Sequence, residues 1–299
     1  WIAPGVESGD NIVAGWNERA DRVLFFGVGA DSWLQREDKR SFSPKVVQLI
    51  WDLEPGETRE GWIIRPYRAY TADLPALRKA DWTREFEKGV GEWQTLLDRT
   101  FDLQVPDPGV MNAWRACFAD LFIMREPVAD GYIAAVPGTE CYRAPNAFEA
   151  AIVEIAIDQA GLPEEAANGY KMPWEMQEPD GNWNDHKGWG HLMWGGAGFK
   201  SWAAMEHYRL TDDKDFLAWI YPRMLASSRW QELQRQSTRL ENSDGSRPLT
   251  YGLMPRGMGD CGLKDDDDLY GVFIPHNIWA VYADKVALDV ARILDQEAD

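Results

Sequence analysis

Cysteine is scarce in this chain. The three thiols, Cys117, Cys141 and Cys261, are odd in number and far apart. They make neither a disulfide framework nor the closely spaced ligand set of a structural zinc site, and they read as buried thiols. Positive charge is in deficit as well. Only 31 Lys and Arg face 49 Asp and Glu, for a formal net charge of −18. That sign is wrong for neutralising phosphates and no Lys/Arg cluster offsets it, which excludes a nucleic-acid partner. No run of 18 apolar residues is present, which excludes a membrane-spanning helix, and the first stretch lacks the pattern of a secretory signal. No Gly-x-Ser-x-Gly elbow occurs, and no strand precedes Gly195–Gly198, so serine-hydrolase and nucleotide-binding chemistry both lack their motifs. The chain starts at Trp1 without Met and closes on a stretch, Val286 to Asp295, that reads as helix; we expect it to be a piece of a longer polypeptide.

Tryptophan, by contrast, is abundant, at 16 residues in 299. Each is either a core ring or a recognition ring. Several stand beside Gly, Asp and Asn. Sugar rings have apolar C–H faces that stack on flat aromatics, while Asp, Asn, His and Arg bind their hydroxyls, so this mixture suits a saccharide. Overall composition is that of a globular protein, 45% hydrophobic and 27% charged.

The chain divides by periodicity. Residues 1–72 read as β: Arg22–Gly29 and Lys45–Trp51 are strands, and Pro55-Gly56 turns the second back into a strand over Glu60–Tyr70. Residues 73–106 read as a helical linker. Residues 107–299 read as successive helices. Asp107-Pro108 opens the first, with Val110, Trp114, Cys117, Phe118, Leu121 and Phe122 as its apolar face. Pro145 opens the next, carrying Phe148, Ile152 and Ile155 and stopping at Gly161. Further helices follow over Leu162–Glu165 and beyond, Gly196–Tyr208, Asp213–Gln236 with Pro222 kinking or dividing it, and His276–Leu294 with Ile278, Val281, Tyr282, Val286, Val290 and Ile293 on one face. The links after Gly161 and Leu210 are short. Those over 127–145, 171–195 and 241–275 are long and rich in Gly, Trp, Asp and Asn, and hairpin pairing gathers them on one face.

Three segments carry a resemblance. Val136–Ala151 followed by Ala160–Ala166, Asp180–Trp189 followed by Glu206–Asp212 and Asp215–Leu225, and Tyr251–Asp260 followed by Asp265–Gly271 and Pro275–Ala280 together resemble bacterial six-hairpin glycosidases, the group that includes glucoamylase-like, glucosidase and rhamnosidase enzymes. The resemblance implies a mainly α fold, an (α/α)6 six-hairpin toroid of which this chain holds the first half, preceded by a β-sandwich. It implies a glycoside hydrolase, inverting, with its second catalytic carboxylate in the other half of the barrel. Many relatives carry Arg-Asp where this chain has Phe148-Glu149. A bacterial periplasmic or secreted location goes with the resemblance, as does an oligo- or polysaccharide substrate.

Glycoside hydrolysis needs two carboxyl groups, one to protonate the leaving oxygen and one to activate water, set about 6.5–9.5 Å apart for inversion. The stretch 258–271 is the densest in carboxylates, and crowded acids hold a proton more tightly. Asp260 or Asp268 is the candidate general acid, with Glu149 a further catalytic candidate that reads equally as a helix first-turn charge. Asp265–Asp267 read as a solvated acidic loop or, alternatively, a calcium site; no other cofactor is expected, and no metal is assigned. Candidate sugar-binding residues are Tyr142, Arg143, Trp183, Asp185, His186, Trp189, Tyr270, His276 and Asn277. Arg143 pairs equally well with Glu140 or Glu149, and Asn277 reads equally as a cap or packing residue. His186 and His191 are too weakly patterned for a metal pair, and His207 reads as an ordinary helix residue. Two rival functions stay open: a toroid-fold polysaccharide lyase or sugar epimerase, and a non-catalytic carbohydrate-binding protein. Oligomeric state is not legible.

Overall fold

The computed structural model describes residues 5–9, 12–16, 23–27, 32–36, 46–62, 71–77, 79–101, 103–128, 131–136, 138, 145, 147–183, 194–258 and 270–296. It is mainly helical and divides into two compact units, Trp1–Glu92 and Trp93–Asp299.

In the first unit, β1 (Gly5–Gly9), β2 (Ile12–Trp16) and β3 (Val23–Gly27) form an antiparallel meander in that order. Gly9 pairs with Ile12, and Ile12 with Gly27. Separately, β4 (Ser32–Arg36) pairs antiparallel with β5 (Val46–Ile50). The Pro55-Gly56 turn forms as read: Glu57 N–H donates to Glu54 O at 2.9 Å, and Gly56 takes φ +84°, the left-handed value that favours glycine at this place in a turn. The strand expected over Glu60–Tyr70 is irregular over 60–62 and otherwise lies outside the described residues. After a short turn come α1 (Leu74–Leu77) and α2 (Trp82–Asp98), a helix that runs across the division at Glu92.

The second unit is a set of helical hairpins. Helix α3 (Pro108–Ile123) opens on Asp107, whose carboxylate accepts the Gly109 N–H at 2.8 Å, with Pro108 at a position where no N–H is needed. Its inner face is narrower than its apolar pattern. Phe118 is buried, but Val110 is half exposed and Cys117 is exposed, about 100° round the helix from Phe118. The reading of Cys117 as a buried thiol is therefore corrected; Cys141 and Cys261 lie outside the described residues. Next come β6 (Arg125–Pro127) and β7 (Ile133–Ala135), an antiparallel hairpin. Helix α4 (Ala147–Gln159) and α5 (Pro163–Glu175) are joined by Ala160–Leu162, with Gly161 at φ +86°. Helix α6 (Gly196–Thr211) and α7 (Lys214–Ser237) are joined by Asp212 at φ +57° and by Asp213, which caps α7 by accepting the Phe216 N–H at 2.8 Å. Links this short force antiparallel neighbours. Helix α7 runs unbroken through Pro222; the Arg223 guanidinium donates to Trp219 O at 3.3 Å and lies over the Trp219 ring, giving a partner to a carbonyl near the proline. Last come β8 (Gly257–Met258), β9 (Tyr270–Gly271) and α8 (Ile274–Ile293).

Helix α6 packs between α4 and α8, α5 covers α4, and α7 packs on α6 and α8. The core runs through Ala150, Ile157, Tyr170, Trp174, Ala203, Leu217, Ile220 and Val290. Two inner faces differ from the apolar pattern. On α4, Ile152 is 56% exposed while Glu154 is fully buried. On α8, Ile278 and Val281 are exposed, while Val286 and Val290 are buried as expected in a stripe with His276, Ala280, Ala283, Ala287 and Ala291. The alanines let α8 come close to α6. A Cβ added to Gly198 of α6 would lie 2.6 Å from Trp279 O, so at this crossing the two backbones touch. Helix α8 ends at Ile293, short of Asp295, where the chain turns through φ +52°. Among the described residues no helix is long and apolar enough to cross a membrane.

Candidate functional site

The antiparallel hairpins make α4, α6 and α8 run in the same direction, so their first turns meet at one end of the helical unit. Three rings mark the meeting. Phe148 lies 4.0 Å from Phe199, and Phe199 lies 4.0 Å from Trp279, centroid to centroid. Trp202 and Tyr282 flank Trp279 at 6.3 and 5.7 Å. All five rings are part-buried, a partly wetted apolar floor.

The same end holds the anchors of two long links. The Asn277 side chain accepts the Met254 N–H at 2.8 Å and donates to Phe273 O at 2.9 Å, tying residues 254 and 273 to the start of α8. Trp230 of α7 stacks on Trp194 at 5.3 Å and donates its indole N–H to Asp180 at 3.0 Å, while Asp180 accepts the Asn182 N–H with its other oxygen. The β8–β9 pairing sets Met258 opposite Tyr270. Asp260 and Asp268 therefore each stand two residues along the chain from one paired backbone.

Of the expected site residues, Tyr142, Arg143, Asp185, His186, Trp189, Asp260 and Asp268 lie outside the described residues, as does the Tyr270 side chain. Their segments run directly into the converging ends: 137–146 into α4, 184–193 into α6, 259–269 into β9 and α8. Glu149 is exposed in the first turn of α4, beside Phe148. Trp183 is corrected from a sugar-stacking ring to a core ring. It is fully buried, its N–H donates to Trp174 O at 2.8 Å, and the Lys200 ammonium sits 5.2 Å over its face, leaving no face for a ligand. Asn277 takes the packing role, both ends of its amide being committed. His276 is buried, edge-on to Phe273 at 5.3 Å. Among the described residues no group of His, Cys, Asp and Glu is placed to hold a metal ion; Asp265–Asp268 lie outside them.

The opposite end holds what sequence reasoning missed. His207, far from ordinary, is buried with Nδ1 2.9 Å from Asp158 Oδ2, and the Tyr170 hydroxyl donates to the same carboxylate at 3.2 Å. One turn back on α4, Glu154 faces Arg125 Nε at 3.3 Å. Burial pushes the Asp158 carboxyl up, partly offset by its bond to His207. Burial also pushes Tyr170 well above its ordinary range, reinforced by the nearby carboxylates. Glu154 is pushed up to about 8, burial outweighing the attraction of Arg125. A signal was present: two acids four apart, flanked by Ala151, Val153, Ile155 and Ile157, sit on one stripe of an otherwise apolar helix. The Glu154, Asp158 and His207 side chains are all buried, and together they tie α4 to β6, α5 and α6.

No protein-family model matches this chain, and no curated protein matches it.

Proposed function

We propose that the chain is a glycoside hydrolase of the six-hairpin kind, its helical hairpins being part of an (α/α)6 toroid and its β-strands part of a preceding β-sandwich. Its substrate-binding end is the one where α4, α6 and α8 begin. The observation that carries this reading is the convergence of those three first turns. The segments bearing the candidate carboxylates, histidine and aromatics lead along the chain into those first turns, where Phe148, Phe199 and Trp279 meet. Asp260 or Asp268 serves as general acid and protonates the leaving oxygen, while water attacks from the opposite face with inversion and gives its proton to a second carboxylate; Glu149 is a further catalytic candidate. Tyr142, Arg143, Asp185, His186, Trp189 and Tyr270 bind hydroxyls and ring faces.

A panel of aryl and alkyl glycosides tests it, with product anomer read by NMR at early times. One of Asp260→Asn and Asp268→Asn should lower kcat by about 10²–10⁴-fold on alkyl glycosides, and less where a nitrophenyl leaving group needs no proton. Melting temperature should stay unchanged. Absence of hydrolysis across the panel, or full activity in both variants, rejects the reading.

A further inference from the structure

The Arg125 guanidinium is a junction. It donates to Glu165 O of α5 at 2.5 Å and reaches Ile133 O of β7 at 3.5 Å, lies 5.6 Å over the Phe122 ring of α3, and faces Glu154 of α4 at 3.3 Å. Asn168 of α5 accepts the Ile133 N–H at 2.7 Å, so the β6–β7 hairpin is held on α5 from both strands. Beneath this junction the Glu154 carboxyl is sealed. Both its oxygens are shut off from solvent and neither makes a well-aligned hydrogen bond. On its other side Gly169 of α5 leaves it room: a Cβ there would lie 2.1 Å from the carboxyl carbon.

We propose that Glu154, sealed between Arg125 of β6 and Gly169 of α5, is a proton-dependent lock on the packing of the β6–β7 hairpin against α4 and α5, closed while the carboxyl holds its proton and loosened when it loses it. Among the described residues, the groups that face it are Arg125 from β6, Asp158 one turn along α4, and Tyr170 from α5; His207 from α6 stands behind Asp158. From β7 the backbone of Ala135 faces it, and α3 brings the Phe122 ring to its Arg125 partner. Arg125 is thus the guanidinium facing Glu154, while the His207 imidazole is engaged by Asp158. Ionising Glu154 adds a second negative charge beside Asp158 with no solvent to screen it. The proton is held more tightly in the folded chain, to about 8 against 4.5 in the unfolded chain. Stability is therefore full below the unfolded value, falls as pH rises from about 4.5 to about 8, and is level above that.

Hydrogen exchange on the 299-residue chain, corrected for intrinsic rates, tests the lock. Protection of peptides covering β6–β7 and α5 should fall roughly a hundredfold between about pH 6 and about pH 9.5, tenfold for each unit below the folded value, while α7 changes far less. In Glu154→Gln, which has no proton to lose, the fall should vanish. An equal fall in Glu154→Gln, or one shared in step by α7, overturns the proposal. Should that variant not fold, Asp158→Asn decides: with the neighbouring charge gone, the midpoint of the fall must move to lower pH, and a midpoint that stays or rises overturns it equally.

Discussion

The two ends of the helical unit are fastened by different chemistry. At the end where α4 meets α5 and α6 meets α7, the links are two or three residues long and the interior holds charge: Asp158 with His207 and Tyr170, Glu154 with Arg125. At the end where α4, α6 and α8 begin, the links are long and the fastening is aromatic and close-packed, with Phe148, Phe199 and Trp279 in contact and Gly198 against the backbone of Trp279. Buried polar and titratable contacts are directional and respond to pH. Ring contacts and backbone approach do neither. Rigidity and adaptability are thus placed at opposite ends: the end that turns tightly is locked by groups that tolerate one geometry, and the end that receives the long links rests on faces that bear several.

Three variants put this contrast to the test. The largest effect is expected from Asp158→Ala, which strands a buried imidazole and phenol and should cost about 3–5 kcal/mol in urea unfolding. Because burial raises the Asp158 carboxyl, the wild-type advantage should fall as pH rises from acid to neutral. A small, pH-independent cost would erase the contrast between the ends. Next is Gly198→Ala, whose methyl meets backbone rather than a movable side-chain tip; forcing α6 from α8 should cost about 1–3 kcal/mol. That cost should be flat with pH, and near-ultraviolet circular dichroism should report the displaced Trp279. A cost that follows pH would place a titrating group where the structure has rings. Smallest is Asp213→Ala, which removes the cap at Phe216 N and should cost about 1 kcal/mol. Its melting point should drop by a few degrees with the aromatic signal intact.

Much of the helix order was legible in the residues, because helix starts and stops are local chemistry. Asp107-Pro108, Gly161 and Asp213 did what cap residues do. Which face turns inward was less legible, because periodicity says which residues share a stripe and not what that stripe meets. On α4 three neighbours, β6 with Arg125, α5 with Tyr170 and α6 with His207, draw the acids inside and leave Ile152 out. On α8 the close approach at Gly198 selects alanines, and Ile278 and Val281 are left over. The candidate end was legible as a set of polar, aromatic links, since hairpin pairing puts alternate links together. The fate of single residues within it was not. Trp183 beside Asn184 reads as a recognition ring, yet its N–H finds a carbonyl of the preceding helix and its face finds Lys200.

Helix α4 also foretells how this chain should vary over time. Its isoleucine at 152 faces outward and is free to drift to any helix-forming residue. Its acids at 154 and 158 can change only together with partners on three other elements. A lineage that keeps this packing will therefore hold its charges still and let its hydrophobe wander, the reverse of what a helix seen in isolation would lead a breeder of variants to protect.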